Sequence, residues 1–286
     1  MKIPITKMQA QGNDFIILDT VKYKIPLSKS LFKQLAQRQF GIGCDQILIL
    51  STTTHQQADF NYQIFNQDGS ESSQCGNGAR CLGEYIQSHH DKKGRMWRVL
   101  THENIITIRY IAEKTYACEL AIPRFMPQDI PSTLSYNIPQ WLHLSSASSC
   151  FQVSLVNVGN PHAIVLCKTL TDVPLEKLSI EWNQAGYFPK GINISAMQRI
   201  NQEHIRLSTY ERGVGSTLAC GSAACAAAIS AQLHLDCHHK MLVSQRGGDV
   251  EVWWQGLNTP VILQGKVSSH FETIWDSQQQ LLNSSA

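Results

Sequence analysis

Short runs of β-branched and aromatic residues dominate the chain, and they predict strands more often than helices. Residues 47–50 are continuously apolar, whereas apolar and polar residues alternate over 60–64, as in a half-buried strand. Helical spacing is found at 28–39 and in the segments that begin just after Cys75 and Cys220. Many strands with few helices between them predict an α+β fold. Further strands are predicted at 15–18, 105–111, 151–156, 163–167, 205–210 and 250–254.

Two pairs of segments recur in the same order and at nearly the same separation. Residues 11–17 resemble 158–164, and 74–81 resemble 219–225, with offsets of 147 and 145 positions. Two ordered pairs predict a duplicated chain, in which each half supplies one Gly-Asn element and one Cys-Gly element. Four prolines within 123–139, near the middle of the chain, predict an extended domain junction.

Composition and charge narrow the class of protein. With 286 residues, 43% of them hydrophobic and 16% charged, the chain can bury a core for about two domains. The net charge is +2 and the 24 basic residues are scattered, which argues against nucleic-acid or membrane-surface binding. No apolar run is long enough for a signal peptide or a membrane span, so we expect a cytoplasmic protein. Nine cysteines, an odd number, do not suggest a disulfide framework.

Cys75 and Cys220 each stand between a turn and a helical segment, so each thiol is predicted at a helix N-terminus. Free backbone N–H groups and the helix dipole favour negative charge there, which predicts a thiol pKa lowered from about 8.5 toward neutrality. The glycines that follow, Gly76 and Gly221, allow the backbone N–H groups to approach a carboxylate. Two such thiols facing one cleft would move a proton on both faces of a carbon next to that carboxylate. The pattern therefore predicts inversion at an α carbon without a cofactor.

Each of these features also has an ordinary structural explanation. A single Cys-Gly pair at a helix start is more often a packing choice than a catalyst. A zinc site is disfavoured, because no Cys-x2-Cys or His-x3-His pairing accompanies either cysteine. We interpret Cys81 and Cys225, which lie inside apolar helices, as core residues. The duplication is what favours the catalytic interpretation.

Seven sequence blocks together resemble the diaminopimelate epimerase family, and they extend through almost the whole chain. No single block is specific, but the set is. The blocks lie at 7–8 with 12–15 (Lys-Met, Gly-Asn-Asp-Phe), 41–46 (Gly-Ile-Gly-Cys-Asp-Gln), 65–70 (Phe-Asn-Gln-Asp-Gly-Ser), 74–81 (Gln-Cys-Gly-Asn-Gly-Ala-Arg-Cys), 159–162 (Gly-Asn-Pro-His), 191–193 (Gly-Ile-Asn), and 210–213 with 219–222 (Tyr-Glu-Arg-Gly, Ala-Cys-Gly-Ser).

The resemblance implies an isomerase that needs neither pyridoxal phosphate nor a metal. Its reaction would interconvert LL-2,6-diaminopimelate and meso-diaminopimelate, in lysine and peptidoglycan-precursor biosynthesis. The implied fold has two pseudo-symmetric α/β halves, each a mixed sheet wrapped around a central helix, with the active site in the cleft between them. We expect the first half at 1–120 with a returning C-terminal strand at 265–286, and the second at 121–264. A homodimer is also expected.

The resemblance assigns roles to individual residues. Cys75 and Cys220 would be the acid/base pair, with His162 and Glu211 supporting catalysis. Arg212 would pair bidentately with a substrate carboxylate, and Glu211 would meet an ammonium group. Taken singly, the asparagines would be turn residues, Arg212 a surface charge and His162 a structural histidine. The implied substrate-binding residues are Asn13, Gln46, Asn66, Gly76, Asn77, Asn160, Asn193, Glu211, Arg212, Gly221 and Ser222.

The chain departs from the usual family pattern at four places, none of which removes a proposed catalytic group. These departures bear on substrate identity and dimer strength. They are Gln9-Ala10-Gln11 in place of His-Gly-Leu, Gly215-Ser216-Thr217 in place of Gly-Glu-Thr, Ala223 in place of a common glycine, and Phe271 in place of a tyrosine associated with dimer contact.

Two other functions stay open from the sequence. One is a different cofactor-independent racemase of the same superfamily, acting on proline or histidine. Arg212 and four asparagines favour a substrate with a second, distal zwitterion over either of these. The other is a binding protein that has lost turnover, which the presence of both Cys-Gly elements disfavours.

Overall fold

The computed structural model describes residues 2–72, 75–102, 104–147 and 149–276 and confirms the α+β fold. By their internal contacts, the residues divide into unit 1, Met1–Cys118 with Gly265–Ala286, and unit 2, Glu119–Gln264. Whether these units are the domains predicted from the sequence, 1–120 with 265–286 and 121–264, stays a prediction. Residues 277–286 of the predicted first domain lie outside the described residues. In the described part of the chain, no helix is long and apolar enough to cross a membrane.

The described residues of unit 1 form a mixed sheet and two helices. Its sheet pairs β1–β2, β3–β4, β4–β5, β6–β7, β7–β8 and β1–β18 antiparallel, and β2–β3 and β4–β6 parallel. The elements are β1 (Lys2–Ala10), β2 (Asn13–Asp19), α1 (Lys29–Ala36), β3 (Gln46–Ser51), β4 (Phe60–Asn66), β5 (Glu71–Ser72), α2 (Gly76–His89), β6 (Met96–Leu100), β7 (Ile105–Ala112), β8 (Thr115–Glu119) and β18 (Ser268–Asp276).

Unit 2 repeats this pairing pattern strand for strand. Strands β10 to β17 pair as β1 to β8 do, and β9 pairs with β10 as β18 does with β1. The duplication predicted from the sequence is therefore confirmed in the topology of the two units. The elements are β9 (Leu142–Ser146), β10 (Ser149–Asn157), β11 (Pro161–Cys167), α3 (Leu175–Gln184), β12 (Asn193–Arg199), β13 (His204–Glu211), β14 (Gly215–Thr217), α4 (Gly221–His234), β15 (Lys240–Gln245), β16 (Gly248–Trp253) and β17 (Ile262–Lys266), with 3-10 helices at Pro127–Asp129 and Leu170–Asp172.

Helices α2 and α4 are the central helices of their units, as predicted. Nine consecutive residues of α4, 223–231, are buried, and such all-round burial requires strands on several sides. Helix α4 contacts β10, β11, β12, β13, β15 and β16 of its own unit. In α2 the sheet approaches so closely that a Cβ at Gly83 would lie 2.6 Å from Cγ2 of Ile108. Small residues in both helices therefore permit the sheet to wrap around them.

Two sequence expectations need correction. Helix α1 has the expected cap, because Oγ of Ser28 accepts a hydrogen bond from N of Leu31 at 3.1 Å, but it ends at Ala36 instead of residue 39. The backbone N–H groups of residues 42 and 43 both donate to O of Leu35, so the chain turns back over the last helical carbonyls. The proline-rich stretch is also not extended throughout, since it includes the 3-10 helix Pro127–Asp129.

Candidate active site

Three of the proposed substrate-binding residues in unit 1 lie at one end of its sheet. Asn13 begins β2, Gln46 begins β3 and Asn66 ends β4. These positions coincide because β2 and β3 are parallel, whereas β4 runs antiparallel to β3. Gln46 is paired in register with Asn66, and its Nε2 donates to Oδ1 of Asn66 at 3.0 Å. Cys75 joins the same end, because its Sγ lies 3.7 Å from Oδ1 of Asn13.

Cys75 is the N-cap of α2, which confirms its predicted position. Its backbone is extended, and its Sγ accepts a hydrogen bond from N of Gly78 at 3.4 Å. Residue 78 also packs closely against β4, since a Cβ there would lie 2.5 Å from Oη of Tyr62. The first residues of the helix, Gly76 and Asn77, therefore lie directly beside the thiol.

Unit 2 gathers its candidate residues in the same way. Asn160 precedes β11, His162 is the second residue of β11, Asn193 begins β12 and Glu211 ends β13. His162 and Asn193 are paired in register across β11 and β12. The side-chain amide of Asn193 connects the start of β11 with the end of β13. Its Nδ2 donates to O of Pro161 at 3.1 Å, and its Oδ1 accepts from N of residue 212 at 3.0 Å.

Cys220 is the N-cap of α4, equivalent to Cys75 in α2. Its backbone N–H donates to Oε1 of Gln245 at 2.9 Å, and its Sγ lies 3.4 Å from Oγ of Ser222. That hydroxyl in turn lies 3.1 Å from Nε2 of His162, which is 3.0 Å from Oδ1 of Asn160. A continuous chain of polar contacts therefore links the thiol to the start of β11.

The prediction that the helix N-terminus lowers the thiol pKa is wrong for Cys220 in this conformation. Burial raises the pKa of Cys220 well above its ordinary value, since the residue is only 6% exposed, and the nearby charge of Glu211 raises it further. Hydrogen bonds from Ser222 and from the backbone of Ala223 oppose these effects without reversing them. Loss of water around the sulfur therefore outweighs the helix dipole, and Cys220 is a thiol.

His162 is neutral, which limits its role. Burial lowers its pKa to about 3, so at neutral pH the imidazole has a single N–H and no positive charge. Nε2 faces two oxygen atoms, of Asn160 and Ser222, whereas Nδ1 is buried with no hydrogen-bond partner among the described residues. This arrangement fits the tautomer with its hydrogen on Nε2. His162 therefore acts through its contacts with neighbouring side chains.

Arg212 is exposed at the turn after β13. Its Nη1 donates to the carbonyl oxygens of Lys190 at 2.8 Å and Gly191 at 3.4 Å. These bonds hold Nη1 against the loop that precedes β12. A Cβ on residue 191 would lie 2.8 Å from Cδ of Arg212, so the loop and the side chain approach closely because Gly191 has no side chain.

Two charged residues of unit 1 were not identified from the sequence. Asp45 accepts a hydrogen bond from Nδ2 of Asn13 at 3.1 Å. Arg80 is completely buried in α2, where it donates to Oδ1 of Asn77 and, at 2.7 Å, to Oε1 of Gln11. Both lie inside blocks used for the family resemblance. The sequence did contain a signal for Arg80, because it is a lone cation in a helix of small and apolar residues. It contained no such signal for Asp45.

The structure thus brings the predicted site residues together in two groups, one in each unit. Within residues 2–72, 75–102, 104–147 and 149–276, no three or more His, Cys, Asp or Glu side chains are grouped so as to hold a metal ion. The unit 1 group is Asn13, Gln46, Asn66, Cys75, Gly76 and Asn77, and the unit 2 group is Asn160, His162, Asn193, Glu211, Arg212, Cys220, Gly221 and Ser222.

Comparison with known proteins gives a consistent result. The family model described as diaminopimelate epimerase matches residues 5–118 and 154–269. The diaminopimelate epimerase of Coxiella burnetii is 36% identical over 275 residues, covering 96% of this chain and 99% of that protein. The diaminopimelate epimerase of Nitrosospira multiformis is 37% identical over 272 residues, covering 95% and 98%.

Solved structures with low sequence identity share the fold. A phenazine biosynthesis protein of the PhzF family from Bacillus anthracis has a TM-score of 0.68 at 15% identity, covering 96% of this chain and 99% of that one. A hydroxyproline epimerase from Agrobacterium vitis has a TM-score of 0.69 at 12% identity, covering 96% and 91%. The architecture therefore occurs in proteins whose sequences differ widely from this one.

Proposed function

The chain belongs to the diaminopimelate epimerase family, and we propose that it is an isomerase that interconverts LL-2,6-diaminopimelate and meso-diaminopimelate. In this reaction one of the two α carbons of a symmetric diamino diacid is inverted. The product serves lysine and peptidoglycan-precursor biosynthesis. Cys75 and Cys220 are the proposed acid/base pair.

The observation that carries this proposal is the matched position of the two cysteines. Each is the N-cap of a 14-residue central helix, in units that have the same strand order. The first backbone N–H groups of a helix have no partner within it, and together with the helix dipole they favour bound anions. We therefore propose that Gly76 with Asn77, and Gly221 with Ser222, hold the reacting carboxylate. Their N–H groups would stabilise the negative charge that develops as the α proton leaves.

The proposed reaction needs one thiolate and one thiol. The thiolate removes the α proton from one face, and the thiol delivers a proton to the opposite face, so the configuration inverts. Because burial raises the pKa of Cys220, we propose that Cys220 begins as the proton donor and that Cys75 is the group that must lose its proton. The roles are exchanged for the other stereoisomer. The two thiols account for both proton transfers.

The remaining residues suit the distal, unreacting end of the substrate. Arg212 presents a guanidinium for the distal carboxylate, and Glu211 can accept from the distal ammonium. Neutral His162 would support catalysis by fixing the hydroxyl of Ser222. Amide side chains are proposed to complete the binding set, namely Asn13, Gln46, Asn66, Asn160 and Asn193.

We also propose that the protein works as a homodimer in the cytoplasm. Phe271 and Ile274 of β18 support a dimer, because they are large apolar side chains with 46% and 62% of their surface exposed. Phe271 would replace the tyrosine that the family usually has in its dimer contact.

The proposed reaction is tested by incubating purified, reduced protein with LL-diaminopimelate in deuterated water. We expect deuterium at the α carbon together with formation of the meso isomer, because the returning proton comes from a thiol that exchanges with solvent. Proline and histidine, offered in parallel, are expected to incorporate no label. Label in either of those and none in diaminopimelate would favour the other racemases, and no label in any substrate would favour a binding protein.

A further inference from the structure

The side-chain amide of Asn13 lies between a carboxylate and a thiol. Its Nδ2 donates to Oδ2 of Asp45 at 3.1 Å, and its Oδ1 lies 3.7 Å from Sγ of Cys75, where the thiol donates. A carboxylate can only accept hydrogen bonds, so Asp45 determines which end of the amide faces it. The carbonyl end must then face the sulfur.

Asp45 is held in place by a network of ions. Nη2 of Arg38 lies 2.8 Å from Oδ1 of Asp45 and 2.9 Å from Oδ1 of Asp14, whose Oδ2 accepts from Nζ of Lys7 at 2.6 Å. Burial opposes ionisation of Asp14, yet hydrogen bonds from Arg38 and Lys7 hold its pKa well below the usual value. The two aspartates also accept from each other's backbone N–H groups, at 2.8 and 3.2 Å.

We propose that Asp45 is a positioning residue that keeps the carbonyl of Asn13 turned toward Cys75, so that this thiol retains its proton until substrate is bound. An acceptor beside a thiol stabilises S–H, whereas an N–H donor in the same place would stabilise the thiolate. The inference rests on the proposed function, in which Cys75 is one of two proton-transfer groups.

Such an arrangement matters because in each turnover one thiolate accepts the α proton while the other thiol gives up its own proton, so the step depends on the proton affinities of both cysteines. Burial and Glu211 favour the protonated form of Cys220. If Cys75 gave up its proton much more easily than Cys220, the turnover that ends with Cys75 as thiol and Cys220 as thiolate would be uphill. The carbonyl of Asn13 favours the protonated form of Cys75 and so brings the two proton affinities closer together.

Other groups near Cys75 in unit 1 also bear on its ionisation. They include Tyr62 of β4 and Cys81 of α2. Burial raises the pKa of both Tyr62 and Cys81 well above the ordinary values, so these two are neutral at neutral pH. N of Gly78 is a donor to the sulfur and favours the thiolate, and the carbonyl of Asn13 opposes that effect.

The test is the pH dependence of alkylation at Cys75 without substrate. The whole protein is treated with iodoacetamide, and the peptide that contains Cys75 is quantified by mass spectrometry. In Asp45→Asn the amide of Asn13 is free to turn its Nδ2 toward the sulfur. We expect the midpoint of alkylation to fall by about one pH unit, and alkylation at pH 7 to be about tenfold faster. The control Asp249→Asn makes the same change at an exposed site in β16 of unit 2 and should leave the midpoint unchanged.

A double-mutant cycle shows whether Asp45 acts through Asn13. Asn13→Ala removes the acceptor and should lower the midpoint by itself, and adding Asp45→Asn should then change nothing further. An unchanged midpoint in Asp45→Asn, or an equal shift with and without Asn13, would overturn the proposal. If Asp45→Asn does not fold, the Asn13→Ala protein decides, since an unchanged midpoint there also contradicts it.

Kinetics give a second readout that a merely structural role would not change in this way. In Asp45→Asn the acid limb of the pH profile of kcat/KM should move to lower pH by the same amount as the alkylation midpoint, because both report the free enzyme. Failure of the proposed function is distinguishable, because alkylation requires no turnover. If the alkylation shift is observed but the protein inverts no amino acid, the positioning role of Asp45 is supported and the proposed reaction is contradicted.

Discussion

Replacing either cysteine by alanine, in Cys75→Ala or Cys220→Ala, is expected to lower the rate of LL-to-meso inversion by about a thousandfold or more. Inversion needs a proton to leave on one face and another to arrive on the opposite face, so loss of either thiol stops it. The rate is measured by following the meso isomer formed by purified protein, with circular dichroism to verify that the variants fold.

Isotope exchange at the α carbon distinguishes loss of inversion from loss of all proton transfer. A variant with one remaining thiol can still remove the α proton that faces that thiol and return a deuteron to the same face. We therefore expect residual exchange without inversion, for LL-diaminopimelate in one variant and for the meso isomer in the other. Inversion within tenfold of the unmodified protein in either variant would show that the two-thiol mechanism is wrong.

Matched controls are available in the same helices. Cys81 and Cys225 lie a few residues further along α2 and α4 and are completely buried, as predicted for core residues. Cys81→Ala and Cys225→Ala remove the same atoms and are expected to keep the inversion rate of the folded protein within about twofold, because neither is placed at a helix start. A large loss of activity in these controls would mean that alanine substitutions act through the helices and not through the thiols.

The positions of Cys75 and Cys220 were predictable because the signal is local. A turn, a cysteine, a glycine and a run of small residues define a helix start whatever the rest of the chain does. The same pattern then recurs at the matching position of the second repeat, which supports the prediction of both helix starts. The amide residues at the ends of β2, β3 and β4 were assigned by the family resemblance alone, since the asparagines taken singly would be turn residues.

Features that depend on the folded environment were not predictable in this way. The ionisation of Cys220 depends on how much water surrounds the sulfur, and the helix dipole, which is local, pointed in the opposite direction. Asp45 meets Asn13 only because β2 and β3 are parallel neighbours, which places residues 32 positions apart side by side. The predicted end of α1 was wrong because residues 42 and 43, which lie beyond the helix, donate hydrogen bonds to one of its last carbonyl oxygens.

Both unexpected charged residues of unit 1 contact a side-chain amide, of Asn13 beside the thiol and of Asn77 at the start of α2. Asp45 fixes Asn13, and Arg80 fixes Asn77. Amide groups can turn by half a rotation at little cost, which exchanges a donor for an acceptor. A charged neighbour removes that freedom. On the role proposed for Asp45, charged side chains in unit 1 fix the orientation of neutral groups, which is separate from binding a charged substrate.

Replacing the buried cation, in Arg80→Met, is expected to lower the free energy of unfolding by about 3 kcal/mol. Nε donates to O of Gly76 at 3.3 Å, and Nη2 donates to Oε1 of Gln11 and Oδ1 of Asn77, so methionine would leave three acceptors with a lost partner. Each buried acceptor left without a donor costs about 1–3 kcal/mol, partly offset because a buried cation no longer has to be desolvated. Guanidinium chloride unfolding, followed by far-UV circular dichroism, measures the change.

A second variant separates hydrogen bonding from packing at Arg80. Gln11→Leu removes one of the acceptors, and leucine is the usual residue of the family at this position. The double variant, Arg80→Met with Gln11→Leu, should be more stable than the sum of the single changes predicts, by about 1 kcal/mol. The control Arg246→Met changes an exposed arginine and should alter stability by less than about 0.5 kcal/mol. A loss below about 1 kcal/mol in Arg80→Met, or strictly additive effects in the double variant, would show that the Arg80 contacts contribute little to the fold.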